Sequence, residues 1–448
     1  MNLHRMLGTR AEAGQPVKVG LIGLGKFGTM YAAQVPTTPG VHLVAIADLD
    51  PVKAKSSLDR AGWPQERYCA RSIEDAVDTG KTFVGEEALS LISSDQIEVV
   101  IEATGFPPTG ITHALAAIEA GKDIVMVTVE ADVLAGPILA EKAAAAGVVY
   151  SLAYGDQPAE ICELVDWART CGFPVVCAGR GVKYLPRYHQ STPKTVWEDW
   201  GLTPEQVAGG GLNPKMFNSF HDGSKPAIEC GAVANACALS APSEGLLFPP
   251  SGIDDLPTVL RPKSDGGVLE AKGMVETVSS LNRDGSPVEN DIRAGVLVVV
   301  EAPSAYAARC FGEYLARTDD SGRYTALYRP VHLIGLELGL TVASVALRRE
   351  PTGCPQGFFA DVVAIAKKDM KAGDLLDGEG GYTVYGRLIP AKRSVAEGAL
   401  PLGLAHGVSL TRDIREGETI RWLDVAYDSD DIAVQVRKEL ESAASLAL

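Results

Sequence analysis

Lys225 closes the turn Asp222-Gly223-Ser224-Lys225, which opens a predicted helix. A lysine in that place can protonate a developing alkoxide, or take the proton back in the reverse direction. Glu229 follows four residues later, one helical turn on, so it is expected to pair with the amine and hold it. Asp222 is expected to cap the helix, to orient Lys225, or to do both. Lys183, in a Gly-rich turn after an apolar strand, can reach a carboxylate or phosphate. Arg187 and His189, in the irregular segment beyond it, are further candidates for the same task. Arg329 precedes a proline and stands three residues before His332, which sets a fork for an anionic group beside a candidate acid or base. Each has a plain alternative: a solvated helix start for Lys225, a surface ion pair for Glu229, and an arginine on backbone carbonyls for Arg329.

A second constellation binds rather than reacts. Val17-Lys-Val-Gly-Leu-Ile runs into Gly23-Leu-Gly25-Lys26-Phe27-Gly28, followed by a stretch that can be helical. Gly23 permits the tight turn, Gly25 lets the backbone approach a pyrophosphate, and Gly28 lets helix and strand pack closely. The phosphates then sit at the positive end of the helix. A second strand, 41–47, ends at Asp48, whose carboxylate can accept from a ribose 2′-hydroxyl and repel a 2′-phosphate. Together these predict a dinucleotide site that prefers NAD, with NADP as the alternative. Ala103, Thr104 and Gly105 end a further strand at the expected cofactor edge. Glu130 and Asp132 follow the strand expected beneath a nicotinamide, where either can meet ribose or substrate hydroxyls; Asp156 is a similar candidate. Glu130, Asp132, Asp156 and Glu229 have oxygens suited to Mg²⁺ or Mn²⁺, but no ligand spacing demands a metal and none is assigned.

These residues need a frame. From Val17 to about Tyr150, apolar strands alternate with Ala-rich helical stretches, the pattern of a parallel sheet covered on both faces. A helix at about 159–171 and a strand at 173–178 then lead into the long polar segment 183–211, and loops of that length are often functional. Beyond about Pro355 a phrase occurs twice. Asp369-Met370 with Gly373-Asp374 is echoed by Asp413-Ile414 with Gly417-Glu418, each pair following an apolar strand. The expected class is α/β: a Rossmann dinucleotide-binding domain (1–157), a central α+β catalytic and oligomerisation domain (158–354) and a small β-rich domain (355–448).

At 448 residues, two or three cores are expected. The net charge of −16 argues against nucleic acid or an anionic membrane as the main partner, though a site can still be locally basic. No apolar stretch approaches the roughly 20 residues of a membrane span. The opening residues lack the pattern of a signal peptide. The eight cysteines are scattered without C-x-x-C or zinc spacing. A cytoplasmic protein acting on a small molecule is the expectation.

Several phrases together resemble the homoserine-dehydrogenase-like oxidoreductases with an added SAF-type tail, and within them the 1-deoxy-D-xylulose 5-phosphate reductoisomerase-like (type II) enzymes. They are Gly23-x-Gly25-x-x-Gly28, Glu130-Ala-Asp132-Val, Gly155-Asp156-x-Pro158, Asp222-Gly223-Ser224-Lys225 with Glu229 and Asn235, and Arg329-Pro330-x-His332-Leu with Glu337. The Lys368-Asp369-Met and Gly417-Glu phrases belong to the tail. The resemblance covers nearly the whole chain. It implies nicotinamide-dependent hydride transfer, Lys225 as a catalytic residue, and a homodimer or homotetramer. Two departures stand out. Homoserine dehydrogenases have lysine where this chain has Glu130, and the type II reductoisomerases have basic residues where this chain has Asp48-Leu-Asp50, which favours NAD(H). The expected reaction is hydride transfer at a secondary alcohol or ketone of a sugar acid, polyol or sugar phosphate. The alternatives are isomerisation followed by reduction, and a nucleotide sensor without turnover.

Overall fold

The apolar runs Val17–Ile22 (β1), Val41–Ala47 (β2), Phe83–Gly85 (β3), Val99–Glu102 (β4), Asp123–Met126 (β5) and Tyr150–Leu152 (β6) form one parallel sheet in the order β3-β2-β1-β4-β5-β6. Helices such as Lys26–Gln34, Pro107–Glu119 and Val129–Ala146 connect them. Such strands are covered on both faces, which is why they read as continuous rather than alternating apolar runs. Strand order reverses between β1 and β4, and that reversal opens a crevice at the carboxyl ends of the strands. The chain is thus α/β with a Rossmann-like sheet and an additional β-rich region. The computed structural model describes residues 2–203, 205–207 and 212–446. Among them, no helix is long and apolar enough to cross a membrane.

Contacts divide the chain into two units: Met1–Glu160 with His332–Pro355, and Ile161–Val331 with Gln356–Leu448. The late segment returns to the first unit for clear reasons. Leu338, Val342, Ala343 and Val345, from the helix Gly339–Arg348 and its approach, join Val99, Ile101 and Val125 in one core. Thr341 Oγ1 accepts from the Tyr154 amide at 2.8 Å, and Arg349 pairs with Asp123.

In the second unit, Val175–Val182 (β7), Met274–Ser279 (β8), Val296–Glu301 (β9) and Tyr324–Arg329 (β10) make a mixed sheet in the order β10-β9-β7-β8. The C-terminal strands Ala360–Ala366 (β11) and Val384–Pro390 (β13) pair antiparallel, and Leu375–Asp377 (β12), His406–Leu410 (β14) and Val425–Ala426 (β15) make a smaller sheet. The helix Ser224–Cys237 touches β7 and β8 as well as β11 and β13, so every one of its residues is buried. Asn235 fixes β11 against this helix: its Oδ1 accepts from the amides of Phe359 and Ala360 at 2.8 and 2.9 Å.

The repeated phrase is a structural pair. Met370 and Ile414 exchange backbone hydrogen bonds at 2.8 and 3.0 Å. Asp413 Oδ1 accepts from the Ala372 amide, and Asp369 Oδ1 accepts from the Glu416 amide. Asp374 and Glu418 then hold the equivalent amides of Lys371 and Arg415. The two copies therefore face each other, each phrase supplying the acceptors for the other's turn.

Candidate active site

In the first unit the three glycines of the turn do different work. Gly23 has φ +91°, and a Cβ there would meet Ala103 O. A Cβ at Gly28 would strike Gly23 O, so strand and helix need a glycine to approach this closely. Gly25 is the N-cap of Lys26–Gln34 and a Cβ built on it meets nothing within 4 Å. That open approach to bare backbone at a helix start fits a diphosphate. Lys26 is exposed beside it and Phe27 is half-buried. Asp48 braces the turn from the end of β2: Oδ2 accepts from the Leu24 amide at 2.8 Å and Oδ1 from the Asp50 amide at 3.0 Å. A carboxylate has about four acceptor positions, so it can also accept from a ribose. Gly25→Val should leave the melting temperature unchanged while weakening nucleotide binding at least about tenfold, because the new side chain fills only the approach space. Melting curves and titration calorimetry on the same preparation separate the two effects, and a large drop in melting temperature would contradict the assignment.

At the end of β4, Ala103, Thr104 and Gly105 form the loop read from the sequence. Thr104 Oγ1 donates to Glu102 Oε1 at 2.5 Å, and the Gly105 amide donates to Thr128 Oγ1 at 2.9 Å. Glu130 is buried in the first turn of Val129–Ala146 rather than in a loop. Asp132 is fully buried, accepts from Tyr150 Oη at 3.0 Å, and is pushed up to about 7 by burial. Asp156 is half-buried, with Oδ1 accepting from the Gln157 amide. His332 is half-buried in the same unit. The segment it opens reaches the glycine turn, since a Cβ at Gly335 would strike Phe27 O.

In the second unit, Lys225 is the second residue of Ser224–Cys237 and only 7% exposed, so it is not a solvated helix start. The expected Lys225–Glu229 support takes another form: the structure pairs Glu229 with Arg180 of β7, both buried. Arg180 also lies over the Phe220 ring, 5.8 Å from its centre. The N-cap of the helix is Gly223 rather than Asp222, which stands one residue before it with Oδ1 accepting from the Ser224 amide at 2.9 Å. Its second oxygen is taken by Lys367, at 2.7 Å, rather than by Lys225. The Lys367 amine also donates to Ser191 O and Gly381 O at 2.9 and 2.8 Å, which uses all three of its protons. His189 is a structural neighbour of this turn. Nδ1 lies 2.8 Å from Asp222 O, Nε2 lies 2.8 Å from Tyr184 Oη, and burial lowers its pKa. A cavity of about 140 Å³ lies against Gly223 and Ala227, walled by His189, Phe248, Tyr385 and Arg387.

Lys183 and Arg187 meet at one residue. The Lys183 amine donates to Asp199 O at 2.5 Å, and Arg187 pairs with Asp199 Oδ1 at 2.8 Å. Arg329 ends β10, half-buried.

Residues 155–338 match the family described as "Oxidoreductase DRL, catalytic domain". The match includes the Lys225 helix, Lys183, Arg187, Arg329 and His332. Among curated proteins, the inositol 2-dehydrogenase of Rubrobacter xylanophilus is 35% identical over 108 residues, 24% of this chain and 24% of that protein. The chain thus matches about a quarter of that relative's length. Three solved structures are also similar. Myo-inositol dehydrogenase from Lactobacillus casei, in complex with NAD(H) and myo-inositol, has 17% identity, coverage of 41% of this chain and 50% of that one, and a TM-score of 0.29. An NAD binding oxidoreductase from Klebsiella pneumoniae has 16% identity, 71% and 67% coverage, and a TM-score of 0.31. DOX-P reductoisomerase with fosmidomycin and magnesium has 14% identity, 50% and 58% coverage, and a TM-score of 0.34.

Within the matched segment, sequence reading missed Arg180 as the partner of Glu229, and Asp199 and His221 beside Lys183. It also missed Lys367, which lies beyond the segment. Arg180 was open to detection, because a charged residue inside an apolar strand implies a buried partner. Lys367 and Asp222 stand 145 residues apart, and no local pattern links them.

Proposed function

We propose that the chain is a nicotinamide-dependent oxidoreductase preferring NAD, which moves hydride to or from a secondary alcohol or ketone of a small polar substrate. The glycine turn carries this reading: Gly25 leaves the backbone open at a helix start, with Asp48 bracing the turn. Gly23, Gly25, Lys26, Phe27, Gly28, Asp48 and the loop Ala103-Thr104-Gly105 would hold the cofactor, with Glu130 close to the same strand ends. When bound, such a cofactor supplies or accepts the hydride.

The rest is the work of the chain's own residues. Lys225 donates a proton to the substrate oxygen, or accepts it in oxidation. Asp222, by accepting from the Ser224 amide and pairing with Lys367, positions the turn that presents Lys225. Glu229 and Arg180 neutralise each other within the unit, so Glu229 positions the helix rather than transferring protons. Lys183, Arg187 and Arg329 hold an anionic group of the substrate, with His332 as a further polar contact. A polyol, sugar acid or sugar phosphate suits these donors, and the relative named inositol 2-dehydrogenase supports a polyol. A divalent metal is not required by this reading. A cytoplasmic homodimer or homotetramer is the assembly that goes with it, and a monomer in sedimentation equilibrium would remove that part.

The test is a screen of NAD⁺ and NADP⁺ reduction against polyols, sugar acids and sugar phosphates. NAD⁺ reduction with at least one substrate is expected, and an intact carbon chain in the product separates simple dehydrogenation from isomerisation with reduction. Asp48→Asn keeps an acceptor for the Leu24 amide and removes the charge. It should raise the NADP/NAD preference by about tenfold, the scale of one charge contact near a surface. An unchanged ratio of kcat/KM values would contradict the role of Asp48.

A further inference from the structure

Beyond the expected catalytic turn, Lys183, Arg187 and His221 converge on Asp199. We propose that they form a subsite for a ligand oxyanion, a carboxylate or phosphate, in which the carboxylate of Asp199 stands in for the ligand. The proposal rests on the reading of Lys183 and Arg187 as holders of the substrate's anionic group, and it adds His221 and the displaceable residue.

Asp199 lies in the single helical turn Val196–Trp200. Its main-chain oxygen takes the Lys183 amine, its Oδ1 takes Arg187 at 2.8 Å, and its Oδ2 lies 3.2 Å from His221 Nε2. Burial first, and then Arg293, itself paired with Asp291, hold the Lys183 amine below its ordinary pKa. Arg187 and His221 thus face the two carboxylate oxygens of Asp199, while Lys183 holds its main-chain oxygen.

The second observation is His221. Its side chain is fully buried: Nε2 faces Asp199 Oδ2 at 3.2 Å, while Nδ1 has no hydrogen-bond partner among the described residues. Leaving a buried polar nitrogen unmet is costly. The ring itself is fixed, stacked on Tyr188 with centres 3.6 Å apart. A better-placed oxyanion would meet both Arg187 and His221. Asp199 is suited to give way: the Arg187 side chain is 65% exposed, pairs of that kind contribute little, and one helical turn has little stability of its own.

The full chain is titrated by calorimetry with inorganic phosphate and, separately, with malonate. Native protein, Asp199→Asn and the double variant Asp199→Asn/Arg187→Ala are compared. Removing the competing carboxylate should tighten binding of at least one probe about tenfold or more, the scale of a charge-assisted hydrogen bond. Arg187→Ala on that background should abolish the gain. The probe that gains identifies the ligand's anion as phosphate or carboxylate. No gain for either probe overturns the proposal, as does a gain that survives the double substitution. If melting curves show Asp199→Asn unfolded, Asp199→Ser is held to the same criterion. NADH binding, titrated in parallel, reports separately on the broader oxidoreductase reading.

Discussion

Lys225→Ala is expected to lower turnover by about 10²–10⁴-fold, the range for loss of a positioned general acid or base. Lys225 is nearly buried at the start of a helix held on both sides by strands, so its amine is placed by the fold rather than by solvent. The substitution should leave nucleotide binding intact, since the open backbone of the glycine turn, not this amine, would receive the diphosphate. Lys225→Arg is the sharper control: it keeps the charge but not an amine that can exchange a proton near neutral pH. If kcat survives in either variant, the proton moves through another group. If nucleotide binding falls together with kcat, the loss is not specific to proton transfer.

Arg437→Met is expected to destabilise the protein by about 3–5 kcal/mol, because it leaves a buried carboxylate without its cation. Arg437 is fully buried in the C-terminal helix Ile432–Leu446. It grips Asp361 of β11 through two hydrogen bonds of 3.0 and 2.5 Å and reaches Glu441 at 2.9 Å. Asp361 also accepts from Ser394 Oγ and the Val362 amide. Replacing both partners, as Asp361→Leu with Arg437→Met, should cost less than Arg437→Met alone, since no buried charge is then stranded. Denaturant unfolding of the two variants measures the difference. A single variant within about 1 kcal/mol of the native protein would show that the pair is solvated in solution.

What could be read from the residues was local in the chain. Gly23, Gly25, Gly28 and Asp48 span 26 positions, and each role follows from backbone sterics or from strand length. The repeated Asp369 and Asp413 phrases were visible as an echo, and the structure shows what joins them: each aspartate accepts from the other's turn. The ion pairs were not legible. The four-residue spacing of Lys225 and Glu229 suggested a helical pair, but Glu229 faces β7 and meets Arg180 there. Asp222 meets Lys367 from the far end of the chain. Spacing rules describe a helix in water, whereas this helix is buried all round, and its partners are chosen by tertiary packing. The return of residues 332–355 to the first unit was hidden for a similar reason: an apolar helix does not announce which sheet it will cover.

Calorimetric titration of the intact chain with NADH and NADPH tests the central claim most directly. The glycine turn and Asp48 predict one site per chain, with NADH bound at least about tenfold tighter than NADPH. Heat-silent titrations with both, confirmed by the absence of any fluorescence change in the reduced nicotinamide, would contradict it.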